Sequence, residues 1–305
     1  MWIYFKIIHD YQDSIYLPRL LAEKLDGNIR ILFGQRSIQV KVKIDNRIKI
    51  CSKSEFNHPI TVGLSDNVIN KLNIVKSLTY QMKYKKDAVM IGPVIGLLLG
   101  NQNDRYSPFH MVKYSDRKGA YDRVGGLIYA FSPKSIDWEN ELVYGLYYHN
   151  PSGLWKYGHF PFPCSIYRRD FHSDEEDISK LMDITKGRMF NSWRFSKLFL
   201  YEYLSKNGEL SKFLPATGRV VSYEQIKDFI DKYKDVILKP ANLSRGRGIC
   251  IIRKDKDSFR IYDYRGREAE ERALENEKAL KEFFDDNEDL FDDYIIQKCL
   301  SLAKI

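Results

Sequence analysis

The sequence predicts an α/β (α+β) chain that opens with a small strand-rich module, and three features predict it. The stretch Ile38–Val40–Val42–Ile44 alternates apolar with polar residues, the two-residue period of a strand with one buried face. The apolar runs Ala88–Gly100, Gly125–Pro133 and Glu141–His149 suit strands covered on both faces, and helix-like polar stretches separate them. From residue 174 onward, segments of helical period flank a pair of strands joined by a glycine-containing loop.

Taken in order, Leu17–Leu25 has helical spacing within an otherwise strand-like region running to about residue 80. Ala88–Gly100 is expected as a buried strand of a parallel sheet, with Gly125–Pro133 and Glu141–His149 as further strands and Gly153–Arg169 extended. Helices are expected over Asp174–Thr185 and, after a break at Gly187, over Asn191–Gly208, with Asn191 or Ser192 as N-cap and Gly208 as the stop. Phe213–Val221 is extended and Tyr223–Asp235 is a short amphipathic helix. Strands follow at Asp235–Pro240, Gly248–Lys254 and Ser258–Tyr264, then one charged helix over Glu268–Asp286 and a strand starting at Tyr294.

The chain has 305 residues, 44% of them hydrophobic and 30% charged, enough to bury sizeable cores and too apolar for a disordered segment. The longest apolar stretch is thirteen residues with Pro93 inside, whereas a spanning helix needs about 20. Lys6, His9 and Asp10 interrupt the place where a signal peptide keeps its apolar region. Cys51, Cys164, Cys250 and Cys299 lie far apart without a CxxC pair and read as small core residues of a reducing compartment. The six histidines show no ligand spacing, so no metal site is expected. A soluble cytoplasmic protein is the expectation.

The formal charge is +8, but residues 261–305 hold 7 Lys/Arg and 13 Asp/Glu, so a basic body precedes an acidic block. Basic and acidic residues are interleaved rather than gathered on one face, which argues against specific nucleic-acid binding and leaves anionic small molecules compatible. The acidic run Asp285–Asp293 reads as a solvated surface. Aromatics crowd residues 121–171, either as a stacking platform or as the interior of α/β layers, and nothing pairs His149, His159 or Arg168 with a nucleophile.

Val236–Ile252 is the most informative stretch. A lysine ends a strand, a proline stops the ladder, and a polar loop with glycines leads into a second apolar strand. Lys239 is expected at a sheet rim, with Ser244, Gly246 and Gly248 allowing backbone N–H groups close to phosphate oxygens and Arg245 and Arg247 adding charged donors. The Walker pattern is absent. A hairpin with a solvated tip is the alternative.

With Lys197 on an upstream helix, Leu214–Gly218 (LPATG) after it and Tyr294–Gln297 (YIIQ) downstream, this order resembles the first half of an ATP-grasp fold. More narrowly, the chain resembles the spore-coat-associated YheC/YheD-type ATP-grasp family, through IGLLLG, GLIYAFSP, GLWKYGHFPFPCSIYRR, FNSWRFSK, LPATG, VILKPANLSRGRGI and YIIQ. The resemblance implies a strand-rich module over residues 1–85, an α/β pre-ATP-grasp domain over 86–172 and the N-terminal part of an ATP-grasp fold over 173–305.

It further implies that Lys197 and Lys239 bind the α- and β-phosphates of ATP. Asn242–Gly248 would fold over them, with backbone contacts from Ser244 and Gly246. Gln297, Lys298, Cys299 and Leu300 would read adenine through the main chain. Glu often stands where Gln297 does, and either side chain is expected to serve.

The implied chemistry is ADP-forming ligation of a carboxylate to an amine through an acyl-phosphate, with magnesium neutralising the transferring phosphoryl group. The magnesium ligands and a catalytic arginine would lie beyond residue 305, so the chain is expected to be a C-terminally truncated, split or remnant form that does not hold Mg-ATP productively alone. ATP, a second polypeptide and spore-coat proteins are the implied partners. A non-catalytic coat scaffold is the alternative function.

Overall fold

The computed structural model describes residues 1–25, 27–48, 55–85, 88–100, 106–118, 121–170, 174–244 and 246–300. Cys51 and Arg245 therefore lie outside the described residues. The fold class is mixed α/β, and the chain divides into two compact units, Met1–Ser192 and Trp193–Ile305.

The first unit begins with β1 (Trp2–Ile8), β2 (Ser14–Leu17), α1 (Arg19–Ala22), β3 (Asn28–Phe33), β4 (Arg36–Ile44), β5 (Ile60–Ser65), α2 (Asp66–Leu72), β6 (Thr79–Lys85) and β7 (Ala88–Gly92). These strands close into a barrel in the order β1-β5-β2-β4-β3-β7-β6, with β6 pairing back on β1. Alternation explains the closure. Ile3 and Phe5, Ile15 and Leu17, Ile29, Ile31 and Phe33, and Tyr80 and Met82 are buried, one strand after another, on the inner face. The rings of Phe5 and Phe33 each lie 5.6 Å from that of Tyr80, whose hydroxyl donates to the Val75 carbonyl at 2.9 Å. Burying each such side chain stabilises the fold by about 1.5–3 kcal/mol.

The second sheet uses β8 (Val94–Leu98), α3 (Pro108–Met111), α4 (Tyr121–Val124), β9 (Leu127–Phe131), β10 (Ile136–Asp137), β11 (Leu142–His149), β12 (Leu154–Pro161), β13 (Ser165–Arg168), α5 (Glu175–Ile184) and β14 (Met189–Phe190). Its order is β10-β11-β9-β8-β13-β14, with β12 paired to β11. β8, β9, β13 and β14 are parallel, whereas β10, β11 and β12 are antiparallel. The expected single strand over Ala88–Gly100 is thus two: Pro93, after a cis peptide bond, separates β7 of the barrel from β8 of the sheet. A ring nitrogen without N–H cannot continue a ladder, so the proline marks the crossing. One apolar cluster runs through both sheets of this unit, from Ile3 to Met189.

Gly126 sits against that crossing with φ +76°, its N–H donating to the Thr79 carbonyl at 2.8 Å, and a Cβ there would lie 2.2 Å from the Pro93 carbonyl oxygen. Gly126→Ala combines left-handed strain with backbone collision and should lower unfolding stability by about 1–3 kcal/mol. Gly153→Ala, with φ +65° but nothing within 4 Å, carries the strain alone. Urea unfolding of both variants checks this, and equal losses would contradict it.

The second unit contains α6 (Lys197–Ser205), α7 (Gly208–Ser211), β15 (Thr217–Arg219), α8 (Tyr223–Tyr233), β16 (Asp235–Pro240), β17 (Ile249–Asp255), β18 (Ser258–Tyr264), β19 (Glu270–Leu274), α9 (Glu277–Asp285) and β20 (Tyr294–Lys298). The strands form one antiparallel sheet in the order β15-β20-β16-β17-β18-β19. Val236 and Leu238 of β16, Cys250 and Ile252 of β17 and Ile296 of β20 pack with Ile226 and Ile230 of α8 and Leu280 and Phe284 of α9.

Two helix expectations are corrected. The helix expected over Asn191–Gly208 starts at Lys197. Ser196, not Asn191 or Ser192, caps it by accepting the Phe199 N–H at 3.0 Å, and Gly208 opens the next turn instead of ending this helix. Glu268–Asp286 is not one helix. Its first part is the edge strand β19, paired along β18, and Asn276 caps α9 by accepting the Ala279 N–H. Cross-strand pairing outweighs helix propensity in Glu270–Leu274.

Candidate functional site

β16 lies between β20 and β17, and its residues alternate: Val236, Leu238 and Pro240 are buried, while Ile237 and Lys239 face the other way and are half-buried. In the ladder Ile237 stands opposite Gln297, and Gln297 stands opposite Thr217. Lys239, Gln297 and Thr217 therefore share one face of three adjacent strands. The Lys239 ammonium donates to Gln297 Oε1 at 2.7 Å, and Gln297 Nε2 donates to Thr217 Oγ1 at 2.8 Å. The Thr217 hydroxyl in turn donates to the Pro215 carbonyl at 2.9 Å.

Lys197 arrives from the first turn of α6. Its N–H donates to the Ala241 carbonyl at 2.9 Å, and its ammonium donates to the Pro240 carbonyl at 2.6 Å and to the Leu243 carbonyl. Helix start and strand end are thus tied together at the mouth of the β16–β17 loop. Arg194 donates to the Asn242 carbonyl, and the Asn242 amide donates to Asp293. The Ala241 N–H donates to the Asp293 carbonyl at 2.7 Å.

Burial holds the Lys197 ammonium below its usual pKa, and the nearby charges of Lys239 and Arg194 add to this against the opposing pull of Asp293. Burial lowers Lys239 as well. Among the described residues, neither ammonium is in an ion pair. Two partly desolvated positive charges whose hydrogen-bond partners are neutral oxygens form an electrostatic well for an anion.

Of the residues singled out from sequence, Lys197, Lys239 and Gln297 are brought together. Ser244 and Gly246 are exposed in the loop, and Gly246 and Gly248 have positive φ. A Cβ on Gly248 would lie 2.7 Å from the Pro240 ring, so the loop closes tightly against the strand end. Arg245 lies outside the described residues, and the Arg247 N–H donates to the Ser244 carbonyl at 3.4 Å. In the segment Gln297–Leu300, the Lys298 N–H donates to the Ala216 carbonyl and the Cys299 N–H to the Asp235 carbonyl, both at 2.9 Å.

Sequence reading missed Thr217, Arg194 and Asp293. Thr217 had a signal, since it stands in LPATG beside the strand pairing, but Asp293 sat in an acidic run that read as solvated surface. The acidic side chains of that run are exposed, as expected, and two of them also accept hydrogen bonds, Asp293 from Asn242 and Asp289 from Arg265. Cys250 is buried, its thiol pushed up to about 12 by desolvation, and fits the expected core role. No group of three or more His, Cys, Asp or Glu residues suited to a metal occurs among the described residues, and no described helix is long and apolar enough to cross a membrane.

Known proteins resemble parts of this chain. The chain is 27% identical over 249 residues to the endospore coat-associated protein YheD of Bacillus subtilis (strain 168), covering 78% of this chain and 52% of that protein. It is 25% identical over 158 residues to the endospore coat-associated protein YheC of the same strain, covering 50% of this chain and 44% of that one. The chain thus spans about half the length of these curated relatives. A solved structure of the ATP-grasp ligase PsnB complexed with precursor peptide PsnA2 and AMPPNP aligns over 68% of this chain and 66% of that chain, with 16% identity and a TM-score of 0.35. The family model that matches is described as YheC/D like ATP-grasp, and it matches residues 186–305, the segment holding Lys197, Thr217, Lys239 and Gln297.

Proposed function

We propose that this domain binds ATP through its phosphates, and that the chain serves an ADP-forming carboxylate–amine ligation or a coat-associated function derived from it. One observation carries the reading. The Lys197 and Lys239 ammonium groups converge at one strand end, without a carboxylate partner among the described residues, in a segment that matches an ATP-grasp family model. Phosphate oxygens supply the missing negative charge.

The donor set fits a nucleotide. Lys197 and Lys239 would take the α- and β-phosphates, and Ser244, Gly246 and Gly248 would bring loop N–H groups over them. The Lys298 and Cys299 amides are already engaged, so main-chain recognition of adenine falls to the Leu300 N–H and to carbonyls of this segment. Magnesium, when bound, would add charge neutralisation on the phosphates. The residues of this chain act by electrostatic positioning, with no acid–base step assigned to them. The names of YheD and YheC support placing the protein in a spore-coat context.

Calorimetric titration of the 305-residue protein with ADP, AMP and adenosine tests the reading. ADP should bind tightest and adenosine weakest, because the lysines read phosphate. Lys197→Ala should weaken ADP by about tenfold, the worth of one charge-assisted hydrogen bond. Equal affinity for ADP and adenosine would overturn it.

A further inference from the structure

We infer that the Gln297 side chain, oriented by Thr217, is the positioning group that holds the Lys239 ammonium at the strand end while leaving its charge unneutralised. This rests on the nucleotide reading above only for its consequence in binding. The geometry itself is independent of any ligand.

The orientation of the Gln297 amide follows from donor bookkeeping. Lys239 can only donate, so the atom 2.7 Å from it must be an acceptor, Oε1. The Thr217 hydroxyl proton is committed to the Pro215 carbonyl at 2.9 Å, so toward Gln297 this oxygen can only accept. Position 297 therefore needs one acceptor and one donor on the same planar head, which an amide has and a carboxylate lacks. The sequence alone made Glu and Gln equivalent here. The structure separates them.

A glutamate would face the Thr217 lone pairs with a negative oxygen, pull the hydroxyl proton off Pro215, and form an ion pair with Lys239. The positive charge would then be neutralised before an anion arrived. The other charged or titratable groups that act on this pair of lysines are Lys197 and Arg194 from the α6 side, Asp293 before β20 and Cys299 after it.

The test uses Gln297→Glu, Gln297→Leu and Thr217→Val, with Thr217→Ser as the conservative control. The Lys239 ammonium is followed without ligand by nitrogen NMR of labelled lysine, its signal assigned by loss in Lys239→Met. Gln297→Glu should move the Lys239 titration to higher pH, Thr217→Val should broaden or shift the signal, and Thr217→Ser should restore it. ADP affinity, measured separately, should fall about tenfold in Gln297→Glu and in Gln297→Leu. An unmoved Lys239 titration in Gln297→Glu overturns the inference. A shifted titration in a protein that binds no ADP supports the inference and overturns the nucleotide reading instead. Unaltered ADP affinity in Gln297→Glu, where wild type binds, also overturns the proposed positioning role.

Discussion

Lys239→Ala should weaken ADP binding by roughly 10- to 100-fold while leaving the protein folded. A charge-assisted hydrogen bond is worth about 1.5–3 kcal/mol, and each 1.4 kcal/mol is tenfold. The stability expectation runs the other way. Burial lowers the Lys239 pKa, which means that the folded protein pays for holding the charge there. Its folded pKa lies below the unfolded value, so removing the group should leave unfolding stability near neutral pH unchanged or slightly raised. Loss of binding with retained or increased stability marks a functional residue rather than a structural one. Calorimetry with ADP beside urea unfolding measures both. Wild-type ADP affinity in Lys239→Ala would remove this lysine from the site.

Arg265→Leu should destabilise the second unit by about 3 kcal/mol and flatten its response to acid pH. Arg265 donates to both carboxylate oxygens of Asp263, at 3.0 and 2.6 Å, to both of Asp289 at 2.9 Å, and to Asn287 Oδ1 at 2.6 Å. It fastens the segment between α9 and β20 to the end of β18. Asp263 is only 7% exposed. Burial pushes its carboxyl up, but the side-chain and backbone hydrogen bonds from Arg265 outweigh that and bring it below the usual value.

The folded pKa of Asp263 is therefore below the unfolded one, so its contribution is present above the unfolded pKa of about 3.9 and is lost as pH falls through the folded value. Arg265→Leu removes the guanidinium bonds and charge but keeps the main-chain N–H of residue 265 and the charge of Arg272, so the folded pKa rises toward the unfolded value. As pH falls from about 5 toward 3, wild type should therefore lose stability and the variant should lose less of it. Hydrogen exchange of β16–β18 amides across that range reads the slope. Parallel slopes in the two proteins would refute the assignment.

How much was legible beforehand differs by element. The strands around Val236–Ile252 and the helix Tyr223–Tyr233 were readable because apolar spacing and glycines act locally. Glu270–Leu274 was not, because its five residues are exposed or half-exposed and become a strand only through pairing with β18. Ala88–Gly100 misled for a related reason: composition reports burial but does not say that Pro93 sends its two halves into different sheets.

By itself the sequence determined the fold class, the resemblance to an ATP-grasp family, and the candidacy of Lys197, Lys239 and the glycine loop, since these depend on residue type and order. Tertiary structure alone decided that the N-terminal strands close into a barrel, that Asp293 and Arg194 brace the loop, and that Gln297 is matched to Thr217 on one side and Lys239 on the other. Strand register is the physical reason. Thr217, Lys239 and Gln297 are distant in the chain, and a shift of one residue in either pairing would turn these side chains to opposite faces and dissolve the site.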